Sequence, residues 1–395
     1  MSSIFNLIAI SVLAACIAVA NAAEKDQAVF GSGGAGPEAA ANNTAVTSKQ
    51  MIKFGGFGTL GLSHSSQRLG DYVLDGTVPK GSGLSSDWSA GNDSRIGVQI
   101  SADLTSRTSV VLQAISEYQA DSTYSPSVEW ANLKYAFSRD VYIRAGRIDL
   151  PTFLNSDSRR VGYSYPWIHP PLELYRQLSI TSSDGVDAMY RFDVAGAGNS
   201  IKVIYGQNKI DRPTSISSAR DLWGIFDTLE YGSALFRLGY QQRESSSRSK
   251  LTGVTGAWIT NSDLSVGASY DPGDWFAVTE WIQRKSTTKI SAMYISAGCR
   301  VDKFTPYLTY SQNSPASYLA NFNATAANIQ NAKRSQSSVS AGTRWDFIKD
   351  ADLKLQYDQV RLSDNSNGYL ANVPAGVYLY GTRFHVISAV LDFIF

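Results

Sequence analysis

A chain of 395 residues is long enough for two or three ordinary domains or for one large barrel. Charged residues make up only 17% and aromatics 11%, with 21 Tyr and 32 Gly, a mixture that suits strands with one apolar face better than a soluble enzyme. The net charge of +1 argues against a general binder of nucleic acid or other polyanions. Mean hydropathy is −0.16, and after the N-terminus no apolar run approaches the ~20 residues of a spanning helix, which excludes a helical membrane protein.

Residues 4–20 are apolar and close on Ala20-Asn21-Ala22, a small-x-small cleavage signature. This predicts a signal peptide over 1–22, cut after Ala22. The segment before the apolar run has no Lys or Arg, and Leu13-Ala14-Ala15-Cys16 resembles a lipobox, so lipidation at Cys16 is the alternative. Residues 23–50 are small and polar with no sustained period, which predicts a flexible tail that cannot bury enough apolar area to order itself.

From Met51 the period is two. Ile96, Val98, Ile100, Ala102 and Leu104 alternate with Gly97, Gln99, Ser101 and Asp103; Val186, Ala188, Tyr190 and Phe192 with Asp187, Met189 and Arg191; Leu353, Leu355 and Tyr357 with Lys354, Gln356 and Asp358. Strands are predicted near Leu60, Ile100, Leu112, Asn132, Arg144, Ala188, Val203, Ile225, Phe236, Val266, Glu280, Met293, Tyr307, Ala341, Gln356 and Val390. Every second connection is tight, such as Thr105-Ser106, Ser138-Arg139, Gly232-Ser233 and Val301-Asp302, whereas the intervening ones are mostly long, as at 64–93, 149–183, 312–333 and 363–381. A soluble sandwich has no reason to sort loop lengths by parity; a transmembrane antiparallel β-barrel of about 16 strands does. The predicted barrel covers 51–395.

The last strand supports the same reading. Ile387, Ala389, Leu391, Phe393 and Phe395 share one face, and the chain stops on an aromatic. A terminal Phe gains little in a soluble fold, where chain ends fray into water, and more where the outer face meets lipid. This ending, the loop parity and the loop positions resemble the general porins of Gram-negative outer membranes. The resemblance implies a bacterial outer-membrane location, a tail of 23–50 in the periplasm, a homotrimer, and a final strand read by the barrel-assembly machinery. It also implies that the third long connection, entered by Gly146-Arg147 and followed by Pro151 and Phe153, folds into the lumen. The alternative for that connection is an outer cap.

Inward positions on this register include Lys53, Arg95, Gln99, Asp103, Gln113, Glu117, Lys134, Arg144, Asp187, Arg191, Lys202, Arg237, Arg344, Lys354 and Asp358. Arg or Lys facing lipid at mid-depth costs about 2–4 kcal/mol, so these side chains belong to the lumen, and a lumen this polar implies water. The expected constriction takes Arg159, Arg160 and Glu173 from the third long connection and Arg95, Lys134, Arg144 and Arg191 from the wall; opposed charges at a narrowing orient polar solutes. Tyr163, Tyr165 and Trp167 offer a sliding surface if the channel selects sugars. Passive diffusion of small hydrophilic solutes and ions is the first reading. A channel selective for a sugar or an anionic solute, and a closed structural or adhesive barrel, are the alternatives. With Cys299 the only cysteine past the leader, and with His64, His169 and His385 far apart, neither a metal site, a cofactor nor a catalytic triad is indicated.

Overall fold

The computed structural model describes residues 52–178, 180–314, 317–318 and 334–395. The predicted leader, the tail of 23–50 and most of the 312–333 connection lie outside the described residues. Among the described residues no helix is long and apolar enough to cross a membrane. Among the described residues one antiparallel sheet of eighteen strands closes on itself; two of these are the two-residue strands Trp88–Ser89 and Ser317–Tyr318, which leaves sixteen long ones.

In chain order they are β1 (Ile52–Ser65), β2 (Arg95–Asp103), β3 (Thr108–Glu117), β4 (Ser127–Ala136), β5 (Val141–Asp149), β6 (Ser182–Val194), β7 (Ala197–Asp211), β8 (Ser215–Tyr231), β9 (Ala234–Ser249), β10 (Ile259–Tyr270), β11 (Trp275–Lys285), β12 (Thr288–Cys299), β13 (Phe304–Asn313), β14 (Gln336–Ile348), β15 (Ala351–Leu362) and β16 (Arg383–Ile394). Each contains the residue on which its strand was centred from sequence. Each also pairs with its chain neighbour, and β16 pairs with β1 to close the barrel. The tight connections on one rim follow turn chemistry: Ala195 and Gly196 both have positive φ (51° and 82°), the requirement of a two-residue turn that matches the twist of its strands.

Two connections on the opposite rim are short, 212–214 and 286–287, against the expected parity. At the first the strands absorb the difference, since β7 and β8 run for 15 and 17 residues and rise well above the 9–10 residues of β2 to β5. The barrel is therefore tall on one side and low on the other.

The outer face is apolar. Ile96, Val98, Leu112, Leu133, Ile143, Val203, Ile225, Val266, Ile295, Leu355 and Ile387 are exposed on it. Aromatics gather near the tight turns, among them Tyr135, Tyr231, Tyr270, Phe304 and Trp345, as an interfacial girdle requires. Closure uses the terminal aromatics. A Cβ on Gly56 would fall 2.3 Å from the Phe395 ring, and one on Gly58 would fall 2.3 Å from the Phe393 ring. The chain end is tied down by Phe395 N–H donating to Gly56 O at 3.0 Å and Gly56 N–H donating to Phe395 O at 2.8 Å. The glycines of β1 make room for rings of the same chain where the barrel closes.

Candidate functional site: the lumen and its inserted loop

The connection between β5 and β6 does not cap the barrel. It enters the lumen and packs against the inner face of β9 to β16. Two physical devices hold it there. The first is apolar: Phe153, Tyr165, Trp167, Leu174, Tyr175 and Leu178 of the loop are buried against Phe276, Val278, Ile282, Ala292, Tyr294 and Tyr307 of the wall. A second cluster joins Leu172, on the one-turn helix Leu172–Tyr175, to Val360, Leu362, Phe384 and Val386 of β15 and β16, and to Tyr72, Tyr369, Leu370 and Leu379 of two other outer connections.

The second device is polar, and it satisfies backbone groups that a loop buried without regular structure would otherwise leave unpaired. Arg237 donates to Phe153 O at 2.8 Å, Glu280 accepts from Leu154 N–H at 2.7 Å, and Gln356 accepts from Ile168 N–H at 3.3 Å. Glu280 also takes hydroxyl hydrogen bonds from Tyr175 and Tyr294, both at 2.8 Å. Trp167 Nε1 donates to Ser296 Oγ at 2.8 Å. At the tip, Arg344 donates to Tyr163 O at 2.5 Å and Lys354 donates to Gly162 O at 2.6 Å. Lys354 is wholly buried and also pairs with Asp392 at 2.9 Å. Gly162 is required by this close approach, because a Cβ there would lie 2.0 Å from Asp392 Oδ1 and 2.8 Å from Thr59 Oγ1.

The expected constriction residues separate into four groups. Arg95, Arg159 and Arg160 come together on the side of the lumen the loop leaves uncovered. Arg160 donates to Glu117 and lies 3.9 Å from Glu129, while Arg159 donates to Tyr175 O at 3.2 Å and Arg95 Nε donates to Asp93 O at 3.2 Å. Arg95 is near enough to repel both loop guanidiniums. Burial and then Arg95 hold Arg160 down to about 10, and burial lowers Arg159 in the same direction.

Arg144 forms a second station lower in the wall. It grips Asp187 with contacts of 2.5–3.1 Å and Asp149 at 2.8 Å, and Lys202 approaches Asp149 to 3.6 Å. Lys134, the cross-strand partner of Arg144, lies over the Tyr142 ring at 4.3 Å. Arg191 shares the inward face but stands near the tight turn after Val194, exposed and away from the loop.

Glu173 departs from expectation. It is 2% exposed and accepts hydrogen bonds from Ser311 at 2.6 Å, Gln336 at 2.7 Å and Ser338 at 2.5 Å, so it pins the loop to the wall and does not face the arginines. Tyr165 and Trp167 are likewise buried, at 3% and 4%, and offer no sliding surface. Tyr163 is half-buried under the Arg344 guanidinium, 4.5 Å from its ring centroid. Glu117, Glu129 and Asp157 were missed as members of the uncovered side. Glu117 had been placed on the inward face, but its pairing with a loop arginine is a tertiary fact without a local signal.

Inner-face exposure shows the asymmetry. Val278, Glu280, Ile282, Tyr294, Ser296, Tyr307, Thr309, Ser311, Ser338, Lys354, Gln356 and Asp358, all on β11 to β15, are buried. On β2 to β4, Arg95, Gln99, Ser101, Asp103, Glu117 and Lys134 are only half-buried, and loop residue Asp157 is exposed, with Asp149, Arg237 and Lys202 as its charged neighbours. One half of the lumen is a protein core; the other half is lined by opposed charges. Among the described residues no group of His, Cys, Asp and Glu could hold a metal ion.

The sequence matches no known family model and no curated protein. Solved structures do match. An anion-selective porin from Comamonas acidovorans aligns with a TM-score of 0.57 at 13% identity, over 87% of this chain and 99% of its own. OmpT, an outer membrane protein of Vibrio cholerae, aligns in a loop-deleted form with a TM-score of 0.55 at 14% identity, over 87% and 99%. The outer membrane channel DcaP of Acinetobacter baumannii aligns at 0.52 and 12% identity, over 87% and 97%. The fold is that of the Gram-negative outer-membrane porins, a closed sixteen-stranded antiparallel barrel.

Proposed function

We propose that the protein is an outer-membrane porin for passive diffusion of small hydrophilic solutes and ions, without catalysis or cofactor. The observation that carries this reading is the half-occupied lumen: a loop fixed by buried contacts on one side and a charged, half-buried face on the other. Such a passage sorts solutes by size and by charge. The signal peptide over 1–22 and ion transport belong to the same proposal.

A preference for anions is favoured by one feature. Arg159 and Arg160 sit on the loop itself beside Arg95, and Arg95 and Arg159 spend their identified hydrogen bonds on backbone carbonyls, not carboxylates. Assembly as a homotrimer is proposed through the low side of the barrel, β2 to β5, whose outer face exposes Ile96, Val98, Leu112, Leu133 and Ile143; V. cholerae OmpT is described in a trimer form.

Swelling of liposomes that contain the refolded protein tests the function. Uptake that falls steadily with solute size supports diffusion. Saturable uptake of one sugar or one anion moves the reading to a selective channel, and no uptake from a folded barrel leaves the closed barrel.

A further inference from the structure

Asp227 is a carboxylate on the outer side of the wall. On β8 the buried Phe226 and Thr228 point into the lumen, and the outward row runs Trp223, Ile225, Asp227, Leu229 and Tyr231. Trp223 and Tyr231 lie four residues to either side of Asp227. Aromatics gather at the two membrane interfaces, and a tilted strand crosses the hydrocarbon in ~9–11 residues, so Asp227 stands at mid-depth. Its cross-strand partners are Ile201 on β7 and Leu238 on β9. Asn199 shares the outward face of β7, opposite Leu229 and one step along the row from Ile201, which makes it the diagonal neighbour of Asp227.

Neither residue is satisfied within the chain. Asp227 Oδ1 and Asn199 Oδ1 are enclosed without a hydrogen-bond partner, and among the described residues neither side chain makes a hydrogen bond or an ion pair. Other carboxylates of β6 to β9 are matched: Asp184 pairs with Arg147 at 2.7 Å, Glu244 with Arg220 at 2.7 Å, and Asp211 with Lys250. Acyl chains offer neither a donor nor an acceptor, so a polar group at mid-depth is costly until a protein surface supplies its partner.

We propose that the outer face of β7 and β8 docks a second copy of this chain, with each Asp227 accepting hydrogen bonds from the partner's Asn199. The patch is self-complementary, because a carboxylate only accepts and a carboxamide has two N–H groups to donate. A two-fold axis along the membrane normal, running between β7 and β8, sets each Asn199 against the partner's Asp227. That is an isologous contact, in which one patch serves both copies and is incomplete without the other. Polar side chains join membrane-spanning segments in the same way, and here Val203, Ile225 and Leu238 supply the apolar surround. The contact goes beyond the homotrimer proposed through β2 to β5, since it uses a different face and a different symmetry.

The test is disulfide cross-linking of the full chain in proteoliposomes, with Ile225→Cys on this face, Leu112→Cys on β3 and Leu355→Cys on β15. Cys299 is buried, so wild type reads the background. Ile225→Cys should give about tenfold more cross-linked dimer than Leu355→Cys at one lipid-to-protein ratio. Adding Asp227→Leu should return the yield to the Leu355→Cys level, and so should Asn199→Asp, which sets carboxylate against carboxylate. Exchanging the residues, Asn199→Asp with Asp227→Asn, should restore it, an outcome that a mere change in wall polarity does not give. Heat-modified gel mobility establishes that each variant is a folded barrel; should Asn199→Asp not fold, Asn199→Leu replaces it. Leu112→Cys reports the β2 to β5 contact, and its yield should not change with Asp227→Leu. Equal dimer at Ile225→Cys with and without Asp227→Leu overturns the proposal, as does no excess over Leu355→Cys. A loss at Leu112→Cys on Asp227→Leu, or failure of the exchange to restore the dimer, overturns it as well.

Discussion

The carbonyl oxygen of Gly162, at the tip of the inserted loop, accepts a hydrogen bond of 2.6 Å from the buried ammonium of Lys354 on β15. The same ammonium lies 2.9 Å from Asp392 and 3.7 Å from Asp352. Arg344 closes the group at 3.2 Å from Asp352 while donating to Tyr163 O. Two cations, two carboxylates and two loop carbonyls thus fix the loop to the last three strands. Removing one member of a buried charge group leaves its partner uncompensated, which costs about 3–5 kcal/mol. Lys354→Met should lower the thermal unfolding midpoint clearly, and Lys354→Met with Asp392→Asn should recover part of the loss. Thermal scans of refolded protein read both.

Gly162 has no room for a side chain. Gly162→Ala puts a methyl against Asp392 and Thr59, an overpacking that costs about 1–3 kcal/mol and lifts the tip from the wall. Single-channel recordings should show added current noise at unchanged barrel content. Quiet traces with wild-type conductance would mean that the tip can shift without consequence.

Glu173 is an anchor. Glu173→Gln keeps one acceptor oxygen for three donors, Ser311, Gln336 and Ser338, and should lose about 1–3 kcal/mol of stability with little change in ion preference. Arg159→Ala/Arg160→Ala should do the reverse. It leaves Glu117 and Glu129 without their loop partner, so the reversal potential in a salt gradient should move toward cations while the unfolding midpoint changes less.

A pH dependence follows from Asp93, in the connection between β1 and β2. It is 2% exposed, and its Oδ1 has no hydrogen-bond partner. Burial raises its carboxyl above the ordinary carboxylate range against the pull of His169 and Arg95. A raised folded-state value means that the folded protein holds this proton more tightly than the unfolded chain. The group therefore contributes its stability at acid pH and loses it as pH rises through the folded value. Asp93→Asn should raise the unfolding midpoint at neutral pH and flatten its slope above the ordinary carboxylate range. An unchanged slope would assign the dependence to other groups.

The barrel was legible because its signals are local. Alternation at Ile96 to Leu104 and at Leu353 to Tyr357, the turn residues at Ala195-Gly196, and the terminal Phe each act within a few residues, and all sixteen centres fall inside strands. Pro166, Trp167, Pro170 and Pro171 make the loop a stiff, packable segment, but its entry into the lumen was expected only from the resemblance to the general porins. What its residues touch was not legible. Glu173, Tyr165 and Trp167 carry the chemistry of a channel lining and yet are buried, because the loop leans on β11 to β16 and not on β2 to β4. That choice depends on complementarity between distant segments, such as Trp167 with Ser296 and Glu173 with Ser338, which no single stretch encodes. The two short outer connections were missed for a related reason: strand length above the membrane has no periodic limit.

The loop seals half of the lumen, and the proposed conducting path runs through the other half. Cysteine accessibility under voltage separates the two halves. Asp157→Cys places a thiol on the uncovered side, and Thr309→Cys places one in the contact between loop and wall; Cys299 is buried, so wild type serves as the control. A charged thiol reagent added to a planar bilayer should step down the current of Asp157→Cys and leave Thr309→Cys and wild type unchanged. Block at Thr309→Cys with none at Asp157→Cys would place the conducting path on the other side of the loop and contradict the account.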